Sequence, residues 1–144
     1  MQLRRAARPK AFRADPSGAA AIEFALIGPL LIALLMGIVS YGGYFWLGHT
    51  VQQMANDAAR ASIAGLTDAE REALARESLA AAAAAAHGQL RPERLDVEVA
   101  RTAGYVTVRV EYDAEGSIFW AFDKLIPMPP ARLARAAAIR MGGF

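Results

Sequence analysis

The sequence predicts an α+β chain with a long amino-terminal helix, a second helix and a small antiparallel β-sheet. Three observations carry this. Residues 24–47 run FALIGPLLIALLMGIVSYGGYFWL without a single charge. Residues 51–86 then place apolar side chains at helical spacing, and after Pro92 the repeat shortens to every second residue. Composition sets the scale: of 144 residues 55% are hydrophobic, yet only 8% are aromatic and 33 are alanine. Such a core buries less apolar area per residue than a leucine-rich one. The absence of cysteine excludes a disulfide framework, a thiolate zinc site and a cysteine nucleophile. A formal charge of +2 is too small to argue for a nucleic-acid partner.

The apolar run comes first. As a helix, its 24 residues cover roughly 36 Å, enough to cross a hydrocarbon core of about 30 Å. Tyr41, Tyr44, Phe45 and Trp46 gather at its far end, as amphipathic rings do at a membrane–water boundary. The residues therefore predict a membrane span over 19–47, against the alternative of a long helix buried in a larger assembly. Residues 1–18 hold Arg4, Arg5, Arg8, Lys10 and Arg13 against Asp15, a net of +4. Positive flanks stay cytoplasmic, which sets the amino terminus inside and residues 48–144 outside. The basic tail is read as this topology signal rather than as a DNA- or lipid-binding element. An ordinary secretory signal fits less well, because its apolar stretch is about 7–15 residues and is followed closely by a small-residue cleavage site. The small-x-small triplet Ala59-Arg60-Ala61 lies a dozen residues beyond the run.

Glu23 stands at the edge of this run, after Ala19, Ala20, Ala21 and Ile22. An acid at the centre of a membrane helix costs about 2.5–3.5 kcal/mol and less near the end, so it marks a function if a partner can be named. Two readings stay open on the residues alone: a partner within the bilayer, or cytoplasmic headgroups and Arg13.

The junction Pro16-Ser17-Gly18-Ala19-Ala20-Ala21-Ile22-Glu23-Phe24 resembles the processing site of type IV-like prepilins. There a prepilin peptidase on the cytoplasmic face cuts after the glycine, here between Gly18 and Ala19. The resemblance implies that 1–18 is a basic cytoplasmic leader and is removed. The new amino group on Ala19 would then pair with Glu23 of a neighbouring subunit. Such a pair offsets its desolvation cost only with good geometry.

The resemblance runs on. Glu23-Phe24-Ala25-Leu26, Pro29, the leucine-rich residues 30–35 and the aromatic cluster ending at Trp46 look like the amino-terminal segment of the TadE-like family, the pseudopilins of the tight-adherence (Flp) pilus system. About 30 residues match closely and the rest in outline. Major pilins of such systems commonly carry Glu-Tyr at the junction and a very short mature chain. Glu23-Phe24 and the 126 residues after Gly18 depart from that and favour a minor pseudopilin. The family implies a pilin-like fold, a single-pass protein of the bacterial inner membrane, and assembly with other pilin or pseudopilin subunits and the pilus machinery. Gly28 and Pro29 are expected to kink or loosen the helix, and Ala33 and Gly37 form a small-xxx-small pair for close helix packing.

Beyond the span, Val51, Met54, Ala55, Ala58, Ser62 and Ile63 recur at helical spacing and extend the helix to about residue 64, with Gly65 as its stop and Gly42, Gly43 and Gly48 as points of bending. Thr67-Asp68-Ala69-Glu70 has capping-box spacing for a second helix, Glu72 and Arg76 form an i,i+4 pair, and Gly88 ends it after His87. The seven alanines of residues 80–86 are read as simple helix formers rather than a docking face.

Leu95, Val97 and Val99 alternate with Asp96 and Glu98, Thr102-Ala103-Gly104 turns the chain, and Val106, Val108, Val110 and Tyr112 alternate with Thr107, Arg109 and Glu111. This is a hairpin with one apolar face, and two strands alone are marginal. Residues 132–141 could supply a third strand, although their alanines suit a helix equally; the family outline, which ends in a strand, tips the choice. The aromatics of Ile118-Phe119-Trp120-Ala121-Phe122 are read as core filling in preference to a partner-binding patch.

No catalytic constellation, cofactor motif or metal-ligand spacing is found: His49 and His87 are isolated. The expectation is a structural protein, not an enzyme, with no cofactor, no metal and no nucleic-acid partner. The competing expectation is an uncleaved single-span envelope protein whose outer domain binds a protein partner. An accessory or sensor role has no positive support.

Overall fold

The computed structural model describes residues 16–86, 90–102 and 104–142. The basic residues of the leader, the helix stop proposed at His87 and Gly88, and Ala103 of the hairpin turn lie outside them. In chain order the elements are α1 (Pro16–Ser62), α2 (Asp68–Ala85), β1 (Leu95–Thr102), β2 (Tyr105–Asp113) and β3 (Arg132–Arg140), with single 3-10 turns at Pro92–Arg94 and Ile118–Trp120. The α+β class is the predicted one. The chain divides into two compact units, Met1–Leu35 and Met36–Phe144.

In the first unit the described residues are all helical. Ile22, Phe24, Leu26, Ile27, Leu30, Leu31, Ile32, Leu34 and Leu35 are exposed.

The second unit is built on a sheet of order β1-β2-β3, antiparallel throughout. Leu95 pairs with Tyr112, Val97 with Val110 and Val99 with Val108, and Thr102 and Tyr105 close the two-residue turn. Gly104 in that turn has φ +85°, a left-handed conformation that costs other residues roughly 1–2 kcal/mol. On the other side of β2, Tyr112 pairs with Leu133, Val110 with Arg135, Val108 with Ala137 and Val106 with Ile139. Residues 132–140 are thus a strand, which resolves the ambiguity of their alanines. As a strand they put Leu133 and Ala137 in register beside the valines of β2. Alanine contributes little to that choice, so the match of faces decides it.

Period two sorts the sheet into faces. Val106, Val108 and Val110 are fully buried, each worth about 1.5–3 kcal/mol of burial, while Asp96, Glu98 and Arg109 on the opposite face are exposed. The apolar face is covered by helices. From α1 come Leu47, Val51, Met54, Ala55, Ala58 and Ala59; from α2 come Ala75, Leu79 and Ala83. These positions follow the three-then-four spacing of a helix stripe. The face begins earlier still, at buried Ser40 and Gly43. Ile63, expected on the stripe, is 41% exposed, because the helix ends at Ser62 and turns away through Ala64 to Gly65. A side chain at Gly65 would meet the Arg71 backbone nitrogen at 2.6 Å, so the glycine lets the chain reverse closely into α2.

α2 starts as its sequence predicts. The Thr67 hydroxyl accepts from the Glu70 amide at 3.2 Å, and the Glu70 carboxylate accepts from the amides of Leu66 at 2.8 Å and Thr67 at 3.1 Å. The bonds from the Leu66 and then the Thr67 amide hold the Glu70 carboxyl below its ordinary pKa. Arg76 pairs with Glu72 at 2.7 Å and also donates to the Val97 carbonyl of β1.

Candidate functional site: the apolar helix and its junction with the domain

The residues singled out in the sequence lie along the first part of α1. Gly18 is the third residue of the helix and exposed, with open space where a side chain would be. Ala19, Glu23 and Phe24 are exposed too, Phe24 by 76%. Glu23 enters no salt bridge among the described residues. Ala19 and Glu23, four apart, share a helix face. The structure therefore gathers these groups by helical spacing alone and leaves their side chains outward.

Pro29 stands inside the helix. It has no N–H to give the Ala25 carbonyl, a loss that neighbouring chains can make good in a membrane. Gly28 beside it faces the Phe24 ring, 3.8 Å from where a side chain would begin, so that ring lies along the glycine turn. Ala33 is exposed and Gly37 is open, with nothing within 4 Å of a side-chain position.

By length and composition Gly18–Ser62 qualifies as a membrane-crossing helix, and none of its most apolar window is buried. A core helix of a water-soluble domain would show the opposite. The exposed apolar surface on residues 22–39 has no polar face to relieve it, which is the pattern of a helix solvated by lipid.

Within the second unit, α1 is bound to the β2–β3 connection, residues 114–131, by contacts that the sequence did not disclose. Gly43 admits the Phe119 ring, whose nearest carbon would lie 2.0 Å from an added Cβ. Trp46 stands 6.2 Å from Phe119, centroid to centroid, and Tyr44 6.0 Å from Trp120 edge to face. The Tyr41 hydroxyl donates to the Pro127 carbonyl at 2.5 Å, and Trp120 Nε1 to the Pro129 carbonyl at 3.1 Å. Gly48 makes room for the Arg135 guanidinium, 3.0 Å from its side-chain position, and the Gln52 amide donates to the Ala136 carbonyl of β3 at 3.2 Å. Gly43 and Gly48 thus serve close approach rather than bending. The signal for this was a glycine pair set among aromatics; only the location of Phe119 makes it readable.

The core-filling reading of the three aromatics holds. Trp120 is buried and Phe119 and Phe122 are half-buried, but Ile118 and Leu125 are 75% and 74% exposed. A cleft of about 630 Å³ opens beside them, lined by Trp46, Arg91, Arg94, Tyr112, Ile118 and Phe119. Arg94 is committed to the carbonyls of Asp113 and Glu115. Among the described residues, no group of three or more acidic or histidine side chains is placed to hold a metal ion.

No curated protein and no solved structure matches the chain. Residues 18–60 match the family model described as TadE-like protein.

Proposed function

We propose, on the premise of that TadE-like match over residues 18–60, that the chain is a minor pseudopilin of a tight-adherence (Flp) pilus. It is inserted in the inner membrane with its amino terminus in the cytoplasm, cut after Gly18 by a prepilin peptidase, and assembled through its apolar helix with other pilin or pseudopilin subunits. The observation that carries this reading is the coincidence of the matched segment with a helix on which Ile22, Phe24, Leu26, Ile27, Leu30 and most apolar residues on to Val39 are exposed.

The chemistry of the junction follows. Gly18 lies in the first turn of α1, where amides lack intrahelical acceptors and fraying is cheap. Unwinding that turn presents an extended glycine, which a protease can approach closely. Cleavage leaves a cationic amine on Ala19, and the exposed Glu23 carboxylate is free to take such an amine from the next subunit. A pair made between chains places two costly charges together only when the chains assemble, so it favours the filament over the lone span.

Intact mass and amino-terminal sequencing of the protein from its native membrane test the processing step. The expected mature chain starts at Ala19 and reverts to Met1 when the peptidase is deleted. A Met1 chain in cells with active peptidase overturns processing and leaves the uncleaved anchor. Glu23→Ala is expected to be inserted and cut normally but to impair piliation; normal piliation refutes the pairing role.

A further inference from the structure

The β2–β3 connection contains Ser117-Ile118-Phe119-Trp120-Ala121-Phe122-Asp123-Lys124-Leu125-Ile126-Pro127-Met128, and half of it points outward. It is not a loose loop. The Ala114 amide donates to the Ala131 carbonyl at its base, and the Leu125 and Ile126 amides both donate to the Phe122 carbonyl at 2.9 Å. Tyr41, Gly43, Tyr44 and Trp46 then fasten it to α1. The segment is well built, yet Ile118 and Leu125 on it are three-quarters exposed.

Its position bears on what they meet. Counted from Phe24, the roughly 20 residues that a hydrocarbon core requires run out at Gly43. All four α1 residues that hold the connection therefore lie where the span leaves the lipid, among the rings that favour a headgroup environment. Ile118 shares its cleft with Trp46, and Phe45, the residue before Trp46 on α1, is 60% exposed. Irregular backbone cannot enter the hydrocarbon, but at headgroup depth water still satisfies its amides and carbonyls. Asp123 and Lys124, both exposed between Phe122 and Leu125, are charges that water and headgroups can solvate at that depth, with the Lys124 ammonium able to reach phosphates.

We infer that the 114–131 connection rests in the lipid headgroup layer on the domain's side of the membrane, with Ile118 and Leu125 inserted, as a second attachment beside the span. This depends on the reading of residues 24–47 as membrane-spanning. Two attachments fix how the domain stands on the bilayer, which a single helix with free rotation about its axis does not.

Because the chain has no cysteine, single sites can be introduced and labelled with an environment-sensitive nitrobenzoxadiazole dye. The full chain, carrying Leu125→Cys, Ile118→Cys, Leu31→Cys or Arg60→Cys, is reconstituted in vesicles of phosphatidylethanolamine and phosphatidylglycerol. Arg60 is exposed on α1 about 21 Å beyond Trp46 and reports water. Lipids with a nitroxide near the headgroup should remove most of the emission at 118 and 125. Lipids with a nitroxide near the chain end should do so at 31, and neither should affect 60. Quenching at 31 with watery, unquenched emission at 118 and 125 overturns the inference and leaves the span intact. Absence of quenching at 31 overturns both. Blue-shifted emission at 118 and 125 that lipid nitroxides leave alone, and that fades as protein is diluted in lipid, assigns the patch to a second copy and overturns the lipid contact.

Discussion

Gly42 and Gly43 are adjacent, yet alanine at each should act with opposite sign. At Gly43 an added methyl meets Phe119 carbons at 2.0, 2.2 and 2.6 Å, distances no rotamer adjustment of a few tenths of an ångström relieves. The ring must leave. Its half-burial is worth about 1–1.5 kcal/mol and its pairing with Trp46 about 0.5–1.5 kcal/mol. Replacing a helix glycine by alanine returns up to about 1 kcal/mol. Gly43→Ala should therefore destabilise the domain by a net of about 0.5–2 kcal/mol, whereas Gly42→Ala, with open space around it, should stabilise by up to about 1 kcal/mol. Urea titration of the full chain in detergent micelles, read by tryptophan fluorescence, measures both. The decisive quantity is the coupling in a double-mutant cycle with Phe119→Ala, expected at about 1.5–3 kcal/mol in the direction that Phe119→Ala removes the Gly43→Ala penalty. Equal effects at the two glycines, or a Gly43→Ala cost that persists without the Phe119 ring, would refute the packing argument.

Three further outcomes are expected. Ser40 is fully buried with no hydrogen-bond partner for its hydroxyl among the described residues, so Ser40→Ala should be neutral or stabilising by up to about 1 kcal/mol; a clear loss in the same titration would mean the hydroxyl is satisfied by something else. Because the Glu70 carboxyl is held below its ordinary value of 4.5, the stability it contributes is complete above that value and is lost as pH falls through its depressed folded pKa. Glu70→Gln, which lacks the charge, should lose that contribution at neutral pH and show a flatter acid limb, converging on the parent in acid; an unchanged limb would contradict the capping role. Gly104→Ala should cost about 1–2 kcal/mol through its positive φ alone, since nothing stands within 4 Å of the new methyl; Gly104→Asn, which tolerates that conformation better, should recover part of the loss in thermal unfolding.

Much of the fold is local enough to be read before it is seen. Thr67 and Glu70 announce α2 because a capping box is closed within four residues, and Val106, Val108 and Val110 announce β2 because the pleat alternates them. What escaped depends on partners far along the chain. Hydropathy registers Leu47 and Phe45 alike, yet one is 2% exposed in the core and the other 60% exposed on the surface, since lipid and core are equally apolar destinations. Gly43 and Gly48 carry no signal until Phe119 and Arg135 arrive against them. The strand at 132–140 was undecidable because its alanines fit either period, and only the facing valines of β2 select one. The candidate junction is the reverse case. Gly18, Ala19 and Glu23 are legible as a spacing, and the fold adds little because they are exposed, with no salt bridge to Glu23 among the described residues.

The glycine and aromatic seam along residues 40–48 also sets where the second unit can be cut free. A truncation beginning at residue 48 would discard Ser40, Gly43, Tyr44 and Leu47, removing one wall of the core and unseating Phe119 and Trp120. A truncation beginning early enough to keep that wall carries exposed Ile38, Val39 and Phe45 into water with it. The domain thus has no clean water-soluble boundary. Its excised form should need a detergent or a redesigned helix face to stay monodisperse.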